Sequence, residues 1–247
     1  MNNLILSVFP GIDLLGRSFE EEGYCVVRGP DRLWGGDIRL FHPPAGVFEG
    51  VIGGPPCQEF SRLRFANKCV TPKWGNLIPE FERIIQETQP EWFVMENIKA
   101  APLPRVPGYQ VDASVLDNRW LGHIQSRQHR FSFGTKEGLK LIYDIALFEN
   151  IDWAGRVCAS GSVKPGAPRD RQTRLKYHGW KTAAALRQSL ALQGLPDDFL
   201  DDAPFTLKGK HSVIGNAVPP PMGKVLAQAV KRAIAAGYPG GENEQNV

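Results

Sequence analysis

Residues 50–58 read Gly50-Val51-Ile52-Gly53-Gly54-Pro55-Pro56-Cys57-Gln58, a short apolar run that empties into a stiff turn. Two consecutive prolines fix φ and remove two backbone donors. The run before them has the character of a buried strand, and the prolines mark where it stops. In an open α/β sheet, ligands bind beyond the carboxyl ends of such strands. Cys57 stands at that place. A lone cysteine is most often a small buried hydrophobe, but the rest of the chain argues for more.

Outward from this turn, strands and helices alternate. Leu4 to Phe9 gives a first strand, broken by Pro10-Gly11. Leu14, Leu15 and Phe19, with acids at Glu20 to Glu22, make an amphipathic helix that ends at Gly23. Tyr24 to Val27 is a second strand, stopped by Gly29-Pro30-Asp31. Ile78, Phe81, Ile84 and Ile85 recur at a helical period until Pro90. Trp92 to Met95 is a further strand, which delivers Glu96-Asn97 to its carboxyl end. Pro102, Pro104 and Pro107 make 98–112 read as irregular chain. Phe131 to Phe133 is another strand; helices follow at Thr182 to Leu192 and at Met222 to Ala236. The pattern predicts an α/β fold, a doubly wound and mostly parallel sheet with helices on both faces. Residues 1–135 and 183–238 form its main unit. The weakly patterned stretch 136–182 is expected to be a small insert, and 239–247 a disordered tail.

The 247 residues are 42% apolar and 22% charged, as in an ordinary globular chain. No apolar stretch nears the roughly 20 residues that span a bilayer, and Met1 to Leu4 lacks the basic start of a secretory signal. No membrane partner is expected. Cys25, Cys57, Cys69 and Cys158 form no CxxC pair, which argues against zinc or a dithiol redox site; no metal is expected, and a reducing, cytoplasmic setting is the default. Net charge is only +3, yet basic residues cluster. Lys164, Arg169, Arg171, Arg174, Lys176 and Lys181 form one stripe, and Arg62, Arg64, Lys68 and Lys73 another. Such stripes suit phosphate contacts.

Chemistry-bearing residues fall in a set order. Phe9-Pro10-Gly11 follows strand one, where a glycine lets backbone approach a cofactor. Asp31 ends strand two, 20 residues later in the sequence, a place where an acid commonly accepts from ribose hydroxyls. Asp37, in Gly36-Asp37-Ile38, suits an adenine amino group. Glu96 follows four apolar residues, and a carboxyl group there must be paired or protonated. Gln125-Ser126-Arg127-Gln128-His129-Arg130 brings two arginines to a strand edge, suited to a phosphate or a base carbonyl. Leu192-Gln193-Gly194-Leu195-Pro196 and Gly215-Asn216-Ala217-Val218-Pro219 close the series.

In this order the motifs resemble those of the cytosine-C5 DNA methyltransferase family, over about 1–134 and 182–236, and the wording of 8–62 is most similar to its phage or prophage branch. The resemblance implies a Rossmann-like sheet that uses S-adenosyl-L-methionine. Phe9, Gly11, Asp31, Asp37, Ile38, Pro55 and Asn216 would face the cofactor. Cys57 would be the nucleophile, with Glu96, Arg127 and Arg130 beside it, acting on a cytosine flipped out of double-stranded DNA. Glu96 would bond the base edge, and Arg127 its O2 side or a phosphate. Arg62, Arg127 or a helix N-terminus would favour the thiolate, and Glu59 to Asn76 would close over the base. A monomer is implied; a partner restriction endonuclease stays open. RNA as substrate and an inactive DNA- or cofactor-binding module are the alternatives, and the Cys-Phe-Thr motif of the RNA branch is missing. Three departures stand out. Asp13 occupies the place of the family's second glycine. The arginine motif reads Gln-x-Arg-x-x-Arg, which leaves the second arginine's place open between His129 and Arg130. The recognition region, 136–182, is short, so a short or degenerate target is expected.

Overall fold

The structure, a computed structural model, describes residues 2–60, 74–123, 125–145, 157 and 182–237. Among the described residues six strands are seen: β1 Leu4–Val8, β2 Cys25–Arg28, β3 Gly50–Gly53, β4 Trp92–Asn97, β5 Gln110–Asp117 and β6 Gln128–Thr135. The helices are α1 Leu14–Glu21, α2 Ile78–Thr88, α3 Ala183–Gln193, α4 Leu207–Asn216 and α5 Pro220–Gly237. The strands form one sheet in the order β2-β1-β3-β4-β6-β5. It is parallel from β2 to β4, and β6 then runs antiparallel to both β4 and β5.

Alternation along the strands builds two cores. Ile5, Ile52, Trp92, Val94, Phe131 and Phe133 face one way and pack with Phe19 of α1 and with Met222, Leu226 and Val230 of α5. Leu6, Val8, Val51, Phe93 and Met95 face the other way, onto Ile78, Phe81, Ile84 and Ile85 of α2. Burying both faces is why these strands read as near-continuous apolar runs. A third cluster joins α3 to α4 through Leu186, Leu190 and Ile214, with Val157. The α/β sheet with helices on both faces is as expected from the sequence.

From β1 the chain passes to β2 on one side, whereas β3 lies on the other. The switch point of the sheet therefore falls between β1 and β3, where ligands bind in folds of this kind. Val8 and Gly53 are register partners at that point. The segments after them, Phe9 to Asp13 and Gly54 to Cys57, leave the sheet side by side.

Two elements were not foreseen. The tract 98–112, read as irregular, ends in the first residues of β5, an edge strand that pairs only with β6. Helix α4 carries Gly209 and Gly215, both poor helix formers. The basic stretches (61–73 and 158–181), most of the expected insert and the expected tail lie outside the described residues.

Candidate active site

The turn after β3 is fixed from β4. Asn97, 1% exposed, donates Nδ2–H to the Pro55 carbonyl at 3.1 Å and accepts from the Ile98 amide at 2.9 Å. Pro55 is buried. The Cys57 carbonyl accepts from Phe60 N at 3.0 Å, which closes a turn at the cysteine itself. Burial pushes the Cys57 thiol up to about 11; Glu96 adds to this and Arg127 opposes it. At neutral pH the protein therefore holds a thiol. Forming the thiolate at pH 7 would cost about 5 to 6 kcal/mol, at about 1.4 kcal/mol per pH unit. The sequence suggested a thiolate favoured by nearby cations, but burial outweighs the single described one, Arg127.

Beside this turn the apolar row of the sheet becomes polar. Trp92, Val94 and Glu96 alternate onto one face of β4, and antiparallel β6 brings its amino-terminal end against Glu96 and Asn97. Glu96 Oε1 lies 2.5 Å from His129 Nδ1, and His129 Nε2 accepts from Arg127 Nε at 2.7 Å. The Glu96 and His129 side chains are only 13% and 8% exposed. The second carboxylate oxygen, Oε2, points over Gly54, where an added Cβ would sit 2.9 Å away. A side chain at 54 would thus crowd Glu96 out of its place next to the cysteine turn.

Arg127 reaches beyond the sheet. Its Nη1 donates to Val157 O at 2.8 Å, and its Nη2 to Gly215 O and Ala217 O, both at 2.9 Å. The closing motif is thus tied to the end of β6 beside Glu96. Arg130 lies on the opposite face of β6 and donates to Lys99 O at 3.2 Å and Pro102 O at 2.8 Å, holding the chain that follows β4. The alternation of a strand could have indicated this: Arg127, His129 and Phe131 share a face, and Arg130 does not. Asn216 is exposed at the end of α4.

The turn after β1 is held by charge. Phe9, Gly11 and Asp13 have φ of 55°, 58° and 54°, all left-handed. Asp13 is 3% exposed and caps α1. Its Oδ1 accepts from Gly16 N at 3.0 Å and from Ser7 Oγ at 2.9 Å, and Arg28 Nε lies 2.8 Å from its Oδ2. Burial nonetheless raises the Asp13 carboxyl above the ordinary carboxylate range. Aspartate tolerates left-handed backbone better than most residues, so Asp13 adopts the conformation suited to the family's glycine and adds a cap. Asp31 accepts from Gly11 N at 3.1 Å and from Leu33 N at 2.7 Å. Asp37 pairs with Arg32 and accepts from Arg39 N at 3.2 Å, and these hold its carboxyl below the usual range. Ile38 next to it is buried. Trp34, which the sequence reading passed over, is 57% exposed and donates Nε1–H to Gly11 O at 2.8 Å.

Residues 34–152 match the family described as C-5 cytosine-specific DNA methylase. That stretch of the chain is a C-5 cytosine methylase domain match. Among its methylase relatives are an orphan methyltransferase of Bacillus phage rho11s, 23% identical over 219 residues, 82% of this chain and 42% of the relative. The type II methyltransferase M.AquIA of Picosynechococcus is 49% identical over 124 residues, 40% of this chain and 50% of the relative. The chain thus spans half or less of the length of these curated relatives. Its fold is similar to that of the Entamoeba histolytica methyltransferase EhMeth, with a TM-score of 0.64, 11% identity and coverage of 94% of this chain and 98% of that one. Among the described residues, no helix is long and apolar enough to cross a membrane.

Proposed function

We propose that this protein transfers a methyl group to carbon 5 of a cytosine flipped out of duplex DNA, through a covalent bond between Cys57 and C6. The observation that carries this is Glu96 Oε2 over Gly54, in the turn that holds Cys57, with Glu96 close enough for its charge to act on the thiol and held by His129. C5 of cytosine is a weak nucleophile, and covalent catalysis splits the difficult step into easier ones. The Cys57 thiol loses its proton, and its sulfur bonds to C6. Glu96 meets the N3/N4 edge, and N3 gains a proton as the sulfur adds. C5 becomes enamine-like. Loss of the C5 proton to water restores the C5–C6 double bond and expels the Cys57 sulfur, and the N3 proton returns to that sulfur, which regenerates the thiol and a neutral base.

S-adenosyl-L-methionine, when bound, supplies the electrophilic methyl group that C5 takes up. The residues present suit it. A Cβ at Gly11 would meet nothing within 4 Å, so the turn after β1 borders open space. The Asp31 and Asp37 carboxylates follow β2, for ribose and adenine groups, and the exposed Trp34 ring adds an apolar surface beside Gly11. Phe9, Ile38, Pro55 and Asn216 complete the proposed set. Arg127 is assigned to holding His129 and the 215–217 segment, and Arg130 to holding the chain after β4. The partner is double-stranded DNA, with a short target.

Bisulfite sequencing of plasmid from cells expressing the chain, beside Cys57→Ala, tests this. Methylated cytosines in one short context, absent from the variant, are expected. Unmethylated plasmid, with folded protein that methylates RNA instead, would reject DNA as the substrate.

A further inference from the structure

The donor order in the buried row behind Cys57 is set by chemistry. An arginine Nε–H can only donate. Arg127 Nε points at His129 Nε2 across 2.7 Å, so Nε2 accepts and the ring's one proton sits on Nδ1. Glu96 Oε1 is 2.5 Å from that nitrogen and receives it. Arg127, His129 and Glu96 therefore form a directed row, Arg127 donating to His129 and His129 to the Glu96 carboxylate, each member largely enclosed.

In the family's Gln-x-Arg-x-Arg spacing, counted from Gln125, the second arginine falls on His129. We infer that His129 is the positioning residue for Glu96: its Nδ1–H holds one carboxylate oxygen and leaves Oε2 free above Gly54 for the base. This rests on the methylation reading above. A guanidinium favours fork geometry and can engage both oxygens of a carboxylate. A neutral imidazole makes a single bond, so Oε2 remains available. The row also explains why Arg127 is enclosed rather than reaching outward. One of its donors sets the tautomer of His129, and others tie the row to Gly215, Ala217 and Val157.

Two experiments decide it. In the free full-length protein, ¹⁵N spectra of the His129 ring should show a protonated Nδ1 and a bare Nε2. A proton on Nε2 overturns the inference. The second uses single-turnover adduct formation on a 5-fluorocytosine duplex. His129→Asn can place an N–H near the Nδ1 position and should keep the rate within about 10-fold. His129→Leu should be about 10- to 100-fold slower, the range for losing a hydrogen bond to a charged group, with cofactor affinity unchanged. Equal rates for Asn and Leu overturn the inference. A wild-type protein that forms no adduct rejects the methylation reading instead, and the ring spectra still decide the donor order.

Discussion

The turns after β1 and β3 leave neighbouring parallel strands at the same level, yet they are stiffened by opposite means. After β1, three residues in left-handed backbone are held by carboxylates: Asp13 by Ser7, Gly16 and Arg28, and Asp31 by Gly11. After β3, two prolines do the work, with one buried amide, Asn97. The first design depends on backbone conformation and charge, so one residue type can replace another that suits the same φ, as aspartate here stands in for glycine. The second design ties Cys57 to Glu96. Asn97 and Glu96 are adjacent on β4, so the strand that carries the carboxylate also pins the cysteine turn. Damage to the first turn should cost stability and leave the chemistry of Cys57 in place, whereas damage to the second should cost chemistry, with stability as well where the buried amide is lost.

The sharpest contrast comes from Cys57→Ala. Methylation and adduct formation should fall to background, while the melting temperature moves by less than about 4 °C, roughly 1 kcal/mol for a chain of this size. Next in size, Asn97→Leu strands the Pro55 carbonyl and the Ile98 amide. At 1–3 kcal/mol per unsatisfied buried group, a loss of about 3 kcal/mol in denaturant unfolding is expected, with slower adduct formation. Retained stability with full activity would show that the prolines suffice.

On the other turn, Asp13→Ala removes a cap worth about 1 kcal/mol and puts alanine in left-handed backbone at about 1 kcal/mol more. A total near 2 kcal/mol is expected. Asp13→Gly should lose about half as much and keep cofactor affinity by calorimetry. If glycine proves as costly as alanine, the backbone is not what Asp13 serves. The smallest effect concerns the thiol. Because burial raises its pKa, Cys57 alkylation, followed by peptide mass mapping, should keep rising above pH 9 with a midpoint near 11. Glu96→Gln removes a negative charge that raises this pKa, so the midpoint should move down. An unshifted midpoint would remove the carboxylate from the thiol's surroundings.

Much of this was legible in the sequence where physics is local. The apolar runs of β1, β3 and β4, the helical spacing of Ile78, Phe81 and Ile85, and the Pro-Pro-Cys turn each carry their own signal. Glu96 announced itself as a carboxyl group at the end of a buried strand. What was hidden depends on distant partners. β5 alternates polar with apolar and acquires its identity only by pairing with β6. Helix α4 contains glycines and is stabilised by packing on α3. His129 looked interchangeable with Arg130 until the face of β6 separated them. That the thiol is held neutral follows from enclosure by several elements, which no single stretch records.

The most direct test of the central claim is trapping on a duplex containing 5-fluorocytosine with S-adenosyl-L-methionine, followed by mass mapping of the adduct. The account predicts a cofactor-dependent covalent complex on the peptide carrying Cys57, lost in Cys57→Ser. A folded protein that binds cofactor and duplex yet forms no adduct, or forms one at another residue, would contradict it.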